Sequence, residues 1–200
     1  MRIIAGLRRG HKFDGPTGRD IRPTSDLVRE SLFNLVGGDV ADHLVIDLFA
    51  GTGALGLEAL SRGARRAIFV EQNRGNVALI RRNLATLRFE DRATVQTADV
   101  YRWCRAFQAI DDEPIVVFLD PPYREFENHP RRVGQLLRDL LAKLPAGSVI
   151  SLESTSRLDP EVLPDPDLWD VRRYGGTQIA IRAVAATGHD ESLSSNESSL

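Results

Sequence analysis

Apolar and polar positions alternate along this chain with two periods, and the period changes at short intervals. Short apolar runs that are typical of buried strands alternate with stretches in which apolar residues recur with the spacing of one helix face. The predicted strands are residues 44–48, 67–71, 93–97, 115–119 and 148–152, and the predicted helices are residues 54–62, 76–87, 100–108 and 131–144. This alternation predicts a parallel sheet with helices on both faces.

Three further patterns flank this alternating region. Residues 1–22 are rich in glycine and predict a short β-hairpin or an extended arm. A helix is predicted to start at Thr24 or Ser25, either of which can cap its N-terminus. Residues 169–174 and 178–184 flank a glycine pair and predict a hairpin, which would make the last strand antiparallel to its neighbours.

The composition is that of an ordinary globular protein. With 200 residues, of which 42% are hydrophobic and 27% are charged, the chain is long enough for one domain with a sizeable core. No apolar run approaches a membrane span, the N-terminus lacks a signal-peptide pattern, and Cys104 is the one cysteine. These features predict a cytoplasmic protein without an internal disulfide, and the four scattered histidines predict no metal site.

The net charge of −2 hides an uneven distribution of charge. Six basic residues lie among the first 24, against Asp14 and Asp20, and give this part a local charge of +4. The six are Arg2, Arg8, Arg9, Lys12, Arg19 and Arg22. Residues 1–22 are therefore predicted to contact nucleic acid, although scattered surface arginines would give the same pattern. Residues 185–200 are acidic and serine-rich, and they are predicted to form a disordered tail.

The stretch LVIDLFAGTGALGLEAL, at residues 44–60, combines a buried strand, a glycine turn and a helix. Glycines let the backbone approach a ligand closely, and a helix N-terminus presents free N–H groups. Gly51, Gly53 and Gly56 have the G-x-G-x-x-G spacing of a dinucleotide site. Asp47, however, would repel a pyrophosphate and suits a ligand with an ammonium group, such as S-adenosylmethionine. An ordinary strand-to-helix turn and an NAD-dependent oxidoreductase are the alternatives.

Two acidic residues end the next two predicted strands. Glu71 lies about 20 residues after the glycine turn, where a carboxylate accepts hydrogen bonds from the hydroxyls of a ribose. Asp99 could accept a hydrogen bond from an adenine amine, or it could cap the helix that follows. Both positions fit the nucleoside part of S-adenosylmethionine.

The strongest chemical motif is D-P-P-Y at the end of the fourth predicted strand, formed by Asp120, Pro121, Pro122 and Tyr123. Two prolines cannot continue a central strand, so they predict a rigid extended loop. An acid before them and an aromatic ring after them can orient the exocyclic amine of a base and stack on that base. Arg124 follows the motif and could hold an RNA phosphate.

Together these motifs closely resemble the RsmD family over residues 1–184. The quoted stretches MRIIAG, IRPTSDLVRESLFNLV, DLFAGTGALGLEALSRGA and DPPY occur in the family's order. The resemblance implies a Rossmann-like class I methyltransferase fold, with a seven-stranded, mostly parallel sheet, over residues 23–184. It also implies methylation of the exocyclic N2 amine of a guanine in 16S ribosomal RNA by S-adenosylmethionine. Arg22, Pro23 and Thr24 are then expected near the cofactor and the target base.

The predicted cofactor site is completed by neighbours of the motif residues. These are Phe49, Ala50, Gln72 and Val100, together with Thr24. Two other functions stay open at this point. A DNA adenine-N6 methyltransferase also uses D-P-P-Y, but this chain has no insertion large enough for a target-recognition domain. The second is a non-catalytic RNA-binding factor in ribosome assembly. The expected partner is 16S ribosomal RNA, within an assembled or assembling small subunit.

Overall fold

The computed structural model describes residues 1–15, 26–155 and 158–185. The predictions for Arg19, Arg22, Pro23, Thr24 and the tail at 186–200 lie outside these residues. Within the three described ranges, no helix combines the length and the apolar character needed to cross a membrane.

The fold is built on one seven-stranded sheet. Its strands are β1 (Leu44–Leu48), β2 (Arg66–Glu71), β3 (Ala93–Thr97), β4 (Ile115–Leu119), β5 (Val149–Thr155), β6 (Asp170–Tyr174) and β7 (Thr177–Ala183). The strand order is β3-β2-β1-β4-β5-β7-β6. Strands β1 to β5 are parallel, and β7 is antiparallel to both β5 and β6. The predicted mostly parallel sheet with an antiparallel last strand is confirmed.

Six α-helices lie in the described residues. They are α1 (Asp26–Val36), α2 (Ala54–Ser61), α3 (Arg74–Leu87), α4 (Val100–Ala106), α5 (Tyr123–Asn128) and α6 (Pro130–Leu141). The four helices predicted between the strands are present, with ends shifted by at most three residues. Helix α5 was not predicted, because its sequence YREFEN is short and Phe126 is its one apolar residue apart from the tyrosine.

The two faces of the sheet carry separate parts of the core. Helices α1, α2 and α3 cover one face, where the Phe33 and Phe118 rings lie 5.2 Å apart. Helices α4 and α6 cover the other face, where Cys104 and Leu137 pack against Val117. Alternate residues of β4 point to opposite faces, which is the expected period of a strand. Because both faces are covered, β4 is buried along its whole length, as its continuous apolar run predicts.

Residues 1–15, here called the N-terminal segment, pack on the face covered by α1 to α3. An antiparallel bridge joins Arg2 to Lys12, and a 3-10 turn at Gly6–Arg8 lies between them. Two of its apolar side chains are buried in the core, those of Ile3 and Phe13. The described part of the segment contains no extended β-ladder, so the hairpin stays a prediction.

Candidate active site

The candidate site lies where the carboxyl ends of β1, β2 and β4 meet. Strand β1 lies between β2 and β4. The chain continues from β1 to β2 and β3 on one side, and it later crosses over to β4 on the other side. Ligands of open parallel sheets bind in the crevice at such a switch point. The acids predicted on these strands do come together there, since Asp120 and Glu71 both act electrostatically on Asp47.

The glycine loop after β1 has the backbone geometry that its sequence predicts. Gly51 and Gly53 have φ values of +55° and +79°, and Phe49 also has a positive φ, of +59°. The Gly53 N–H donates to the Ala50 carbonyl at 2.7 Å, which closes the turn before α2. A Cβ at Gly51 would meet nothing nearer than the Phe49 carbonyl oxygen, at 3.8 Å. The space beside Gly51 therefore allows the close approach of a ligand.

The third glycine, Gly56, has a different role. A Cβ placed on it would lie 2.3 Å from Cε1 of Phe69, a β2 residue that is fully buried. Gly56 thus lets α2 pack closely on the sheet, as the third glycine of such loops does in dinucleotide folds. Gly51 and Gly53 shape the loop itself, whereas Gly56 sets the distance between helix and sheet.

Asp47 is buried beneath the glycine loop and is 2% exposed. Its Oδ2 accepts a hydrogen bond from the Gly56 N–H at 2.9 Å. Burial raises the pKa of Asp47 well above its usual range; the Gly56 bond opposes this shift, and the nearby Asp120 and Glu71 carboxylates add to it. A cationic ligand at this point would favour the charged form of Asp47, so this carboxylate fits the ammonium group of S-adenosylmethionine.

Glu71, at the end of β2, is 7% exposed and already holds two backbone groups. Its Oε2 accepts from the Gly51 N–H at 2.9 Å, and its Oε1 accepts from the Asn73 N–H at 2.7 Å. Each carboxylate oxygen has capacity for a further donor, so the side chain can still accept from ribose hydroxyls. Gln72, also predicted in the cofactor site, is exposed beside it.

Asp99 caps the N-terminus of α4. Its Oδ1 accepts from the Arg102 N–H at 2.9 Å, and its Oδ2 lies 3.8 Å from Nη2 of Arg132. The capping alternative is therefore realised through Oδ1, while Oδ2 faces Arg132. Val100, the first residue of α4, is buried.

The D-P-P-Y loop lies beside the glycine loop. The Asp120 N–H donates to the Leu48 carbonyl at 3.4 Å, which joins the end of β4 to the end of β1. Pro121 is buried, whereas Pro122 is extended, with φ −54° and ψ 139°. Helix α5 begins immediately after it, at Tyr123, whose side chain is 41% exposed. The structure therefore presents an aromatic side chain to solvent next to the clustered acids.

The sequence did not reveal a cluster that supports this loop. The Tyr101 hydroxyl donates to Glu125 Oε2 at 2.7 Å, and the Arg132 guanidinium carbon lies 3.7 Å from the centre of the Tyr101 ring. Phe49, from the glycine loop, packs edge-on against the same ring at 5.7 Å. Burial and the hydrogen bond to Glu125 raise the pKa of Tyr101, which keeps its hydroxyl protonated. These residues are far apart in sequence, so no local pattern connects them.

The predicted RNA contacts have different environments. Arg2 pairs with Asp26 at 2.9 Å, and Nε of Arg8 donates to the Leu87 carbonyl at 2.8 Å. The other predicted RNA contacts among the described residues are exposed, namely Arg9, Lys12 and Arg124. These three have the accessibility that phosphate contacts require, whereas Arg8 also holds the N-terminal segment against α3.

Cys104 lies in α4 and is fully buried. Burial raises the pKa of its thiol to about 12, so the thiol stays protonated and is not a nucleophile. The described residues contain no group of three or more His, Cys, Asp or Glu side chains that could hold a metal ion.

A large cavity lies at the opposite end of the sheet. It has a volume of about 890 Å³ and is lined by residues at the amino ends of β1, β2 and β4. Trp103 and Phe107 form its aromatic wall, with their rings 5.0 Å apart, and Arg65 pairs with Glu113 at its rim. None of the residues predicted for the cofactor or the target base lines it.

A sheet of this order with an antiparallel last strand is the fold of Rossmann-like class I methyltransferases, and the motif after β4 is that of the amino-methyltransferases. The chain belongs to the RsmD family: the family model described as Conserved hypothetical protein 95 matches residues 1–183. Ribosomal RNA small subunit methyltransferase D of Escherichia coli (strain K12) is 42% identical over 198 residues, covering 96% of this chain and 93% of the relative.

Solved structures agree with this fold. A putative methyltransferase from Escherichia coli, yhhF, has a TM-score of 0.72 at 31% identity and covers 93% of this chain and 98% of its own. An RNA methyltransferase from Salinibacter ruber, in complex with S-adenosyl-L-homocysteine, has a TM-score of 0.61 at 18% identity. That alignment covers 85% of this chain and 98% of the other, and it shows likeness of fold alone.

Proposed function

We propose that this protein transfers a methyl group from S-adenosylmethionine to the exocyclic N2 amine of a guanine in 16S ribosomal RNA. The observation that carries the proposal is the 3.4 Å hydrogen bond from the Asp120 N–H to the Leu48 carbonyl. This bond sets the loop suited to an amine beside the loop suited to the cofactor. Membership of the RsmD family supports small-subunit ribosomal RNA as the substrate.

The cofactor is S-adenosylmethionine, which when bound supplies a methyl group on a sulfonium sulfur. Glu71 accepts from the ribose hydroxyls, and Asp99 accepts from the adenine amine. Gly51 leaves room for the chain that carries the ammonium group, Gly53 allows the turn through its positive φ, and the charge of Asp47 attracts that group. The surrounding positions are Thr24, Phe49, Ala50, Gln72 and Val100.

The residues after β4 act on the acceptor amine. Its lone pair is delocalised into the guanine ring, so the amine is a weak nucleophile. Asp120 and the Pro121 carbonyl accept its two N–H groups and favour a pyramidal nitrogen, while Tyr123 stacks on the unstacked base. The nitrogen bonds to the methyl carbon as the carbon–sulfur bond breaks, and its proton then leaves to solvent. The products are N2-methylguanine and S-adenosylhomocysteine.

The RNA is held by basic residues around this site. The exposed side chains of Arg9, Lys12 and Arg124 contact phosphates, with Arg2, Arg8, Arg19 and Arg22 as further candidates. We propose residues 1–22 as the RNA-contacting part and residues 23–184 as the methyltransferase domain. The substrate is 16S RNA within an assembled or assembling small subunit, which places the reaction in the cytoplasm.

A labelled-methyl transfer assay tests the proposal. Unmethylated small subunits, naked 16S RNA and duplex DNA are each offered with labelled S-adenosylmethionine, and the labelled nucleoside is identified after digestion. We expect label in N2-methylguanine from subunits or RNA. Label in N6-methyladenine from DNA would overturn the substrate, and a lack of label from a protein that binds the cofactor would point to the non-catalytic alternative.

A further inference from the structure

Asn83 connects two parts of the protein that lie far apart in sequence. It lies in α3, is 1% exposed, and its side chain makes three hydrogen bonds. Its Oδ1 accepts from the Asp14 N–H at 2.9 Å, and its Nδ2 donates to the Asp14 carbonyl at 3.1 Å. The same Nδ2 donates to the Thr52 carbonyl at 3.1 Å. One side chain thus holds both the N-terminal segment and the glycine loop.

The chemistry of this contact requires an asparagine. A carboxamide has two N–H donors and one acceptor oxygen on a short stem, and here all three functions are used. An aspartate has no donor for the two carbonyl groups, and a leucine has neither donor nor acceptor. Because the site is buried, water does not replace a lost partner easily, and the backbone groups would be left unsatisfied.

The same two parts also meet at a second point. The Thr52 hydroxyl lies 3.7 Å from the sulfur of Met1, within the distance of a weak hydrogen bond. Thr52 lies between Gly51 and Gly53, the two glycines that shape the loop. A shift of the loop on ligand binding would therefore change contacts at both ends of the N-terminal segment, at Met1 and, through Asn83, at Asp14.

The N-terminal segment is also fixed to α2, the helix that begins where the glycine loop ends. The Glu58 carboxylate accepts from the N–H groups of Ile4 and Ala5, at 2.8 and 3.0 Å. A Cβ at Gly6 would lie 1.9 Å from the Ser61 carbonyl oxygen, so the backbones are in direct contact. The segment is consequently held as one body with α2, and Asn83 joins that body to the middle of the loop.

We propose that Asn83 is a positioning residue through which the cofactor loop and the RNA-contacting N-terminal segment are coupled. The inference rests on the proposed function, in which the loop takes S-adenosylmethionine and the segment contacts RNA. Bound cofactor holds the loop in place, the Thr52 carbonyl fixes the Asn83 carboxamide, and the carboxamide fixes Asp14, two residues after the exposed Lys12. The two ligands therefore bind cooperatively, and by linkage each raises the affinity for the other by the same factor.

The test is to measure this factor. The dissociation constant of the RNA substrate that accepts methyl groups is determined with and without saturating S-adenosylhomocysteine. In the unmodified protein we expect the cofactor product to tighten RNA binding at least about fivefold, the lower end of ordinary allosteric coupling. In Asn83→Asp, which keeps the acceptor but not the donors, and in Asn83→Leu, the factor falls to within about twofold of one.

A matched control separates coupling from general loss of stability. Leu79→Ala removes a buried side chain from the same helix and leaves the three hydrogen bonds of Asn83 in place. It should lower the melting temperature, as the Asn83 variants do, but keep the full coupling factor. Asn83 variants that fold and retain the coupling factor would overturn the proposal, as would a lack of coupling in a protein that binds both ligands. Failure to bind either ligand would instead overturn the proposed function.

A second measurement needs no variant. The Asp14 N–H is bonded to Asn83, so its hydrogen exchange reports directly on this contact. Addition of S-adenosylhomocysteine to the unmodified protein should slow exchange at Asp14 by about fivefold, matching the coupling factor. Exchange at Asp14 that is unaffected by bound cofactor would contradict the proposal, even if the Asn83 variants failed to fold.

Discussion

The two ends of the central sheet differ: one end borders a large cavity, and the other carries the residues predicted to bind the cofactor and the target base. The amino ends of β1, β2 and β4 border the cavity of about 890 Å³. The carboxyl ends carry the glycine loop, the buried Asp47, Glu71 and the D-P-P-Y loop. Parallel strands end in the same direction, so the residues after them meet at one edge, and these residues differ in type between the two edges.

The volume of a cavity therefore does not indicate where the predicted ligand-binding residues of this fold lie. The aromatic wall of the cavity is formed by Trp103, in α4, and by Phe107, the residue directly after that helix. The carboxyl end, in contrast, combines an exposed tyrosine with a buried acid, Asp47, whose charged form is disfavoured by burial and by the neighbouring Asp120 and Glu71. The predictions below test this contrast, from the largest expected effect to the smallest.

Asp120→Ala should have the largest effect. It removes the acceptor that orients the target amine, so kcat should fall about 10³-fold, as when a transition-state hydrogen bond is lost. Asp120→Asn keeps one acceptor oxygen and should lose roughly tenfold. Steady-state methyl transfer gives kcat, and calorimetry gives the affinity for S-adenosylhomocysteine, which should change by less than about threefold. A loss of cofactor affinity as large as the loss of kcat would move Asp120 into the cofactor site.

Gly56→Ala should destabilise the fold without a direct effect on the ligand. Its Cβ would lie 2.3 Å from Phe69, so the free energy of unfolding should fall by about 2 kcal/mol in denaturant titration. The double variant with Phe69→Leu should lose less than the sum of the single variants, because the smaller side chain relieves the clash. Gly51→Ala is the contrast: it should cost roughly 1 kcal/mol, from its positive φ, and should weaken S-adenosylhomocysteine binding. Equal effects of the two substitutions on ligand binding would show that Gly56 also serves the ligand.

Asp47→Asn should stabilise the ligand-free protein at neutral pH, by about 1 kcal/mol, while it weakens cofactor binding. The pKa of Asp47 is raised in the folded state by burial, so the folded protein binds this proton more tightly than the unfolded chain. The contribution of the protonated Asp47 to the free energy of unfolding is fully present below the pKa of about 4 that an aspartate has in the unfolded chain. It is lost as the pH rises through the higher pKa of Asp47 in the folded protein.

The difference in unfolding free energy between the Asn variant and the unmodified protein should therefore grow from near zero at about pH 4. Denaturant titrations of both proteins across the pH range measure it. The affinity of the unmodified protein for S-adenosylhomocysteine should rise over the same range, because the ligand's ammonium group prefers the charged carboxylate. A difference in stability that does not change with pH would show that Asp47 does not titrate as its burial implies.

Ile110→Asp should have the smallest effect. Ile110 lines the cavity at the opposite end and is 98% exposed, so the unfolding free energy should change by less than about 0.5 kcal/mol. The value of kcat/KM for methyl transfer should stay within about twofold of the unmodified protein's. A tenfold loss in a protein of unchanged stability would mean that the cavity end also contacts the substrate.

Much of the fold was predictable because its signals are local. The bounds predicted for β1, β3 and β4 agree with the structure. Each of these strands is rich in apolar or β-branched residues, and β4 ends where Asp120 and two prolines begin. The glycine loop and D-P-P-Y are contiguous motifs, and a parallel sheet brings its carboxyl ends together without further information. Helix α5 was missed because six mostly polar residues carry no helical period, and its position depends on the tertiary bond between Tyr101 and Glu125.

By itself, the sequence determined the order of strands and helices, the type of loop after β1, and the acids and aromatic residue at the strand ends. These follow from short patterns that any fold of this class must satisfy. Only the tertiary structure decided that Gly56 serves packing, that Asp47 is buried, and that Asn83 joins Asp14 to Thr52. The physical reason is that each of these features depends on a partner far away in the chain. An asparagine inside a helix has the same local sequence pattern whether its side chain faces solvent or binds two buried backbone segments.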